Sequence, residues 1–270
     1  LPFSPRSISD PFFMEFLHGV NNASYRLGYS VTIPPVEKNN FKSFKKVNQN
    51  INVDGVILTE PKINDPRINY LKENNIPFVF NGDPKAGDDT AWVDTDNQLG
   101  AYQAVNYLIK KGHRKIATVT GSLTLVAGKY RLEGYYQALR ESGIEIKEDL
   151  IFKADFTEKG AYLAAKDLIK YDKEITAIFA ANDLMALGII KSLREAGLKV
   201  PKDISLIAYD SIKLGEYIEP PLTTIDNTSL KKGEKAVELL TKLIEDQDIE
   251  SKQILFPPKL TVRKSVNNIY

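Results

Sequence analysis

The sequence predicts an α/β protein built from two doubly wound parallel-sheet domains. Three observations predict it. Apolar stretches of strand length alternate with amphipathic helical stretches along nearly the whole chain. The strand stretches are apolar without strict alternation, which suits sheets covered by helices on both faces. The length, 270 residues, is long for one compact domain and suits two runs of about five αβ units each.

Taken in order, Asp10 reads as an N-cap and Pro11 as the first helical residue. Phe12, Phe13, Phe16, Leu17 and Val20 then form an apolar stripe, and Gly28 is the stop. Before this helix, Leu1 to Ser4 reads as the tail of a strand. Tyr29 to Ile33 reads as a strand, Phe41 to Asn50 as a helix and Val53 to Leu58 as a strand. Pro66 to Asn74 is a helix and Ile76 to Phe80 a strand. The polar loop Asn81 to Thr90, with Gly82, Pro84 and Gly87, reads as an interdomain passage. Asp96 caps a helix over Gln98 to Lys111, ended by Gly112. Lys115 to Val119 is a strand, Lys129 to Ser142 a helix ended by Gly143, and Leu150 to Lys153 a short strand. Then come a helix over Thr157 to Tyr171, a strand over Ala177 to Ala181, and a helix over Leu184 to Ala196 ended by Gly197. Strands follow at Ile204 to Tyr209 and Leu222 to Asp226, and a helix at Ser229 to Asp246. Two strands close the chain, Gln253 to Phe256 and Leu260 to Arg263.

Composition narrows the function. Lys plus Arg is 36 and Asp plus Glu 35, so a net charge of +1 offers no reason to bind a nucleic-acid backbone. The chain has no cysteine, which removes disulfides, thiolate metal sites and thiol nucleophiles and fits a reducing cytosol. His18 and His113 make no metal-ligand spacing. His113, at a helix C-terminus, reads as a capping and dipole residue; His18, in mid-helix, reads as packed or solvated. No apolar run is long enough to span a bilayer, and no export signal opens the chain. There is no phosphate-binding glycine loop and no nucleophile elbow. Neither a cofactor nor a metal is expected.

In open α/β sheets, ligands bind beyond the carboxyl ends of the strands. The residues there are Asn81 to Asp83, Gly121 to Thr124, Asp155 and Phe156, Asn182 and Asp183, and Asp210 and Ser211. Arg131, Asn182 and Asp210 combine a donor-only, a mixed and an acceptor-only group, which suits the paired hydroxyls of a sugar. Phe12, Phe13, Trp92 and Phe156 could cover the carbon face of a sugar ring. Each residue has a plainer explanation. Asp96 and Asn182 can be helix caps, Phe13 and Phe16 core, and Arg131 can pair with Glu133 or Glu141.

Several phrases resemble one family. Ser9-Asp10-Pro11-Phe12-Phe13 is similar to the opening of lactose-repressor/galactose-repressor effector domains. Val93-Asp94-Thr95-Asp96-Asn97 and Gly112-His113-Arg114-Lys115-Ile116-Ala117 resemble its Val-x-x-Asp-Asn and Gly-His-x-x-Ile-Ala segments. Arg131 to Tyr135, Ala181 to Gly188, Val200 to Asp210, Pro220 to Ile225 and Leu260 to Ser265 follow in the family's order. The resemblance implies two subdomains of periplasmic-binding-protein-like type I joined by three crossovers, near Trp92, Asp226 and Pro257. One subdomain would comprise 1–92 with 227–257, the other 93–226 with 258–270. It implies a sugar effector in the cleft between them, with Arg131, Asn182 and Asp210 as polar contacts, Phe156 as a ring contact, Phe12 and Phe13 at the first strand end, and Asn227 in the third crossover.

The chain departs from the family at Asn81-Gly82-Asp83, where many members carry Asp or Arg, which leaves Asn81 and Asp83 as displaced contacts. Ser229 stands where some relatives use an aromatic. The strand Ile76-Pro77-Phe78-Val79 resembles that of maltose and α-glucoside regulators, which points to an α-glucoside. The implied protein is a cytoplasmic homodimeric repressor whose operator DNA is read by a helix-turn-helix not contained in this sequence, with recognition helices roughly 34 Å apart. Two rivals share the fold or the carboxylates: an exported sugar carrier of a transporter, and a glycosidase using Asp155 and Asp210.

Overall fold

The computed structural model describes residues 10–34, 41–50, 52–171 and 174–269. The expected strand tail at Leu1 to Ser4, and Ser9 of the opening motif, lie outside them. The chain forms two compact units, Leu1–Thr95 with Thr228–Phe256, and Asp96–Asn227 with Pro257–Tyr270.

In the first unit, α1 (Pro11–Arg26) starts at Asp10, whose carboxylate accepts the Phe12 N–H at 3.0 Å, and ends before Gly28 at φ +77°. After α2 (Phe41–Asn50) come β1 (Val56–Thr59), α3 (Pro66–Glu73), β2 (Phe78–Asn81) and β3 (Trp92–Thr95). The unit is completed by α8 (Ser229–Ile244) and β9 (Gln253–Phe256), which return from the far end of the chain. The sheet runs β1-β2-β3-β9, parallel throughout. Phe13, Phe16, Val20 and Ala23 of α1 pack with Ala236, Val237, Leu239 and Leu240 of α8 on one face. Phe44, Ile68, Tyr70 and Leu71 of α2 and α3 cover the other. The α1–α8 packing depends on bare backbone: a methyl on Gly19 would lie 2.0 Å from the Leu230 carbonyl oxygen, and one on Gly233 would lie 2.2 Å from that of Phe16.

The second unit contains α4 (Asn97–Lys110), β4 (Ile116–Thr120), α5 (Val126–Glu141), β5 (Ile151–Lys153), α6 (Glu158–Tyr171), β6 (Ala177–Ala180), α7 (Asp183–Glu195), β7 (Ser205–Asp210), β8 (Thr223–Asp226) and β10 (Lys259–Thr261). Its sheet runs β10-β8-β7-β6-β4-β5. Helices α4 and α5 close one face and α6 and α7 the other. The chain leaves β4 toward β5 and then returns to β6 on the other side of β4. The topological switch point, where ligands sit in such sheets, therefore falls between β4 and β6.

Four expectations are corrected. Tyr29 to Ile33 makes no ladder among the described residues, although Val31 and Ile33 pack on the α1–α8 core. The loop Asn81 to Thr90 stays within the first unit, because Trp92–Thr95 returns as β3 and pairs with β2 and β9. The chain passes between units at Thr95–Asp96, Asn227–Thr228 and Phe256–Pro257. The last strand, β10, is antiparallel to β8, not parallel.

The fourth correction is His113, which is 1% exposed and is not a charged cap. Its Nε2 faces the Asn267 carbonyl oxygen at 3.2 Å, so that nitrogen carries the proton, and Nδ1 accepts from the Thr176 hydroxyl at 2.9 Å. Burial pushes its pKa below the ordinary value, with the Asn267 carbonyl pulling partly back. His18, by contrast, is exposed.

Two outcomes follow from this packing. Gly19→Ala should destabilise the first unit by about 1–3 kcal/mol through overpacking, read as a lower melting temperature; an unchanged Tm would show that α1 and α8 can separate freely. A histidine depressed in the folded state binds its proton more readily when unfolded. Its contribution is therefore complete above the unfolded value near 6.5 and is lost as pH falls through the folded one. Urea midpoints of the unaltered protein should thus fall below that pH, and His113→Gln should flatten the fall; parallel profiles would refute the assignment.

Candidate functional site

The sequence-derived residues at the strand ends of the second unit come together around one buried cation. Arg131, on the inner face of α5, is 5% exposed. Its Nε donates to Asn97 Oδ1 at 2.9 Å, its Nη1 to the Ala181 carbonyl at 2.6 Å and its Nη2 to Asp210 Oδ1 at 3.2 Å. The guanidinium carbon lies 3.7 Å from the centre of the Tyr209 ring and 5.7 Å from that of Phe156. Neither Glu133 nor Glu141 pairs with it; Glu141 accepts from Gln137 instead. The helical spacing made those two glutamates plausible partners, but α5 turns this face toward β6 and β7.

Asp210 ends β7 and is 5% exposed. Its Oδ1 also accepts from Asn227 Nδ2 at 2.9 Å. The chain turns sharply here, with φ +111° at Asp210 and +57° at Ser211. For non-glycine residues that is strain, and it marks a site held in place by its surroundings. Asp183 is part of what holds it. This carboxylate, 0% exposed in the first turn of α7, accepts from the Ile212 N–H at 2.8 Å and from the Thr224 hydroxyl at 2.5 Å. Burial, reinforced by the nearby Asp210 charge, pushes the Asp183 carboxyl well above the usual carboxylate range.

Asn182 follows β6 and fills two roles. Its Oδ1 caps α7 by accepting from Met185 N–H at 2.8 Å, and its Nδ2 reaches the Phe156 carbonyl at 3.5 Å. Phe156 itself has φ +65° and is half-buried. Its ring packs so closely on Gly121 that a methyl there would come within 2.1 Å of it. Thr120 Oγ1, at the end of β4, is buried with no hydrogen-bond partner among the described residues.

The first-unit residues are distributed differently. Asn81 ends β2, is 8% exposed, and its Oδ1 likewise finds no partner among the described residues. Asp83 is occupied by its own turn, accepting from the Lys85 backbone at 2.7 Å and pairing with Lys85 Nζ at 2.8 Å, while its N–H donates to Asp94 at 3.0 Å. Phe12 lies under Lys232, whose ammonium is 5.3 Å from the ring centre and 3.9 Å from Asp94 Oδ1. Phe13 and Trp92 belong to the two cores, at 4% and 8% exposure.

Sequence reasoning missed Asn97, Tyr209 and Lys232. Asn97 stands inside a quoted motif but reads there as the start of a helix. Tyr209 reads as one more strand residue. Lys232 is a lysine on a helix with charged neighbours, and nothing local says it is buried. No group of three His, Asp or Glu close enough to hold a metal occurs among the described residues, and none of the described helices is long and apolar enough to cross a membrane.

Arg131, Asp210, Asn227 and Asn182 bring hydrogen-bond donors and acceptors together beside the Phe156 ring, the kinds of group that can pair with the hydroxyls of a small molecule. Comparison with known proteins shows the family. Residues 105–266 match the family described as periplasmic binding protein-like domain. The HTH-type transcriptional repressor PurR of Aliivibrio salmonicida is 34% identical over 263 residues, 96% of this chain and 79% of the repressor. A LacI transcriptional regulator from Bacillus cereus subsp. cytotoxis superposes with a TM-score of 0.94 at 31% identity, covering 100% of this chain and 98% of that one. The transcriptional regulator CelR, solved as a complex with cellobiose, does so at 0.89 and 32%, covering 96% and 80%. The chain belongs to the lactose-repressor/galactose-repressor family of transcriptional regulators, as an effector-sensing core of the periplasmic-binding-protein-like type.

Proposed function

We propose that the effector is a sugar and that it binds at Arg131, Asp210, Asn182 and Asn227, with its carbon face on Phe156. The observation that carries this reading is the state of the guanidinium. A guanidinium has five N–H donors. Three are used inside the unit, one on each nitrogen. Each terminal nitrogen keeps a second hydrogen, a charged donor of the kind that pairs with the oxygens of a hydroxylated ligand. Asp210 supplies the acceptor for a hydroxyl proton. The cellobiose complex of a relative supports the ligand class. The strand Ile76-Pro77-Phe78-Val79 favours an α-glucoside such as maltose within that class.

In this reading the chain is part of a cytoplasmic homodimeric repressor. The sugar changes operator binding by having different affinities for two conformations of the regulator. Equal affinity for both would shift nothing; moving a 1:99 population to 99:1 takes a ratio of roughly 10⁴. The sugar-carrier reading is not favoured, because the relatives over the same span are regulators. A glycosidase is not favoured either, because Asp155 is committed to the Thr157 hydroxyl and backbone and the relatives over the same span are regulators.

Titration calorimetry with maltose, cellobiose and D-ribose tests the proposal. At least one should bind, and Phe156→Ala should weaken that sugar about tenfold while leaving the fold intact. Folded protein that binds none of the three would overturn the sugar assignment.

A further inference from the structure

Arg131 is anchored from three directions, and one anchor lies outside the strand ends altogether. Asp210 and the Ala181 carbonyl belong to β7 and to the turn after β6. Asn97 belongs to the first turn of α4, one residue after the chain enters the second unit at Asp96. It is 7% exposed, and its amide oxygen receives the guanidinium Nε–H at 2.9 Å. The same turn takes a second bond from the site, since the Tyr209 hydroxyl donates to the Asp96 carbonyl at 3.3 Å while its ring lies against the guanidinium. Asp96 in turn caps α4 through Leu99 N–H at 2.9 Å.

Two bonds to the terminal nitrogens leave the guanidinium able to tilt about the line joining its acceptors. A third bond at Nε, together with a ring against one face, removes that freedom and sets where the unused hydrogens point. We propose that Asn97 is a positioning residue: it orients Arg131 for the ligand and ties ligand occupancy to the first turn of α4. This inference rests on Arg131 as the ligand's anchor, as proposed above. Any ligand that draws the guanidinium forward acts through Nε on Asn97, and hence on the turn that opens the second unit.

The test uses Asn97→Ala, which removes the acceptor, and Asn97→Asp, which keeps an oxygen in the same place. The first readout needs no ligand: solvent exchange of the Arg131 Nε–H, followed by nitrogen-15 NMR of the arginine side chains. It should be slow in the unaltered protein and in Asn97→Asp, and at least about tenfold faster in Asn97→Ala. The second is calorimetric titration with maltose, cellobiose and D-ribose, in which Asn97→Ala should lose about tenfold in affinity and Asn97→Asp should regain most of it. Unchanged Nε–H exchange in Asn97→Ala overturns the proposal. So does a loss of affinity equal in both variants, which is what a general packing defect would give. Should no sugar bind the unaltered protein, the sugar assignment falls, and the Nε–H exchange still decides the role of Asn97.

Discussion

One buried cation organises the second unit. Removing a guanidinium from water costs several kcal/mol even after relaxation, and only close, well-aimed acceptors offset it. Arg131 finds them in a side-chain amide, a backbone carbonyl and a carboxylate, and lies against the ring of Tyr209. These groups come from α4, the turn after β6, and β7. The ends of three elements must therefore be in place for the charge to be tolerated. Loss of either partner of such a pair strands the other, at roughly 3–5 kcal/mol. The same constraint explains the strained turn at Asp210 and Ser211, which brings the carboxylate to the guanidinium and is braced from behind by Asp183.

Sheet topology makes this meeting possible. Because β4, β6, β7 and β8 are parallel, their carboxyl ends share one edge of the sheet, so Thr120, Ala181, Asp210 and Asn227 are neighbours despite wide separation in sequence. The switch between β4 and β6 opens that edge beneath α5, and Arg131 projects into it. The first unit repeats the principle with a different charge pair, Lys232 and Asp94, beside Phe12.

Much of the fold was legible because its signals are local. Asp10-Pro11, Asp96 and the glycines after α4, α5 and α7 mark helix ends by capping chemistry, and the structure bounds those helices within a few residues of the expectation. What failed was not local. Trp92–Thr95 is four residues with an aspartate in the middle, and only its pairing with β2 and β9 makes it a strand. Tyr29 to Ile33 carries the right residues and finds no ladder. For the site, the rule about strand ends selected Asn182, Asp210 and Phe156, and the family resemblance supported Arg131 on α5; the fold brings the four together. Neither signal could show that Trp92 and Phe13 are absorbed by the cores, or that the guanidinium is held by Asn97 and Tyr209. Those facts depend on which way side chains from distant segments turn.

The Arg131–Asp210 pair is the proposed place where the effector is held. A crystal structure of the chain grown with the sugar that binds it most tightly addresses that directly. Ring oxygens within about 3 Å of the Arg131 terminal nitrogens and of Asp210, with Phe156 against the ring face, are the predicted result. A sugar bound elsewhere, with the guanidinium and carboxylate contacting only protein, would contradict it.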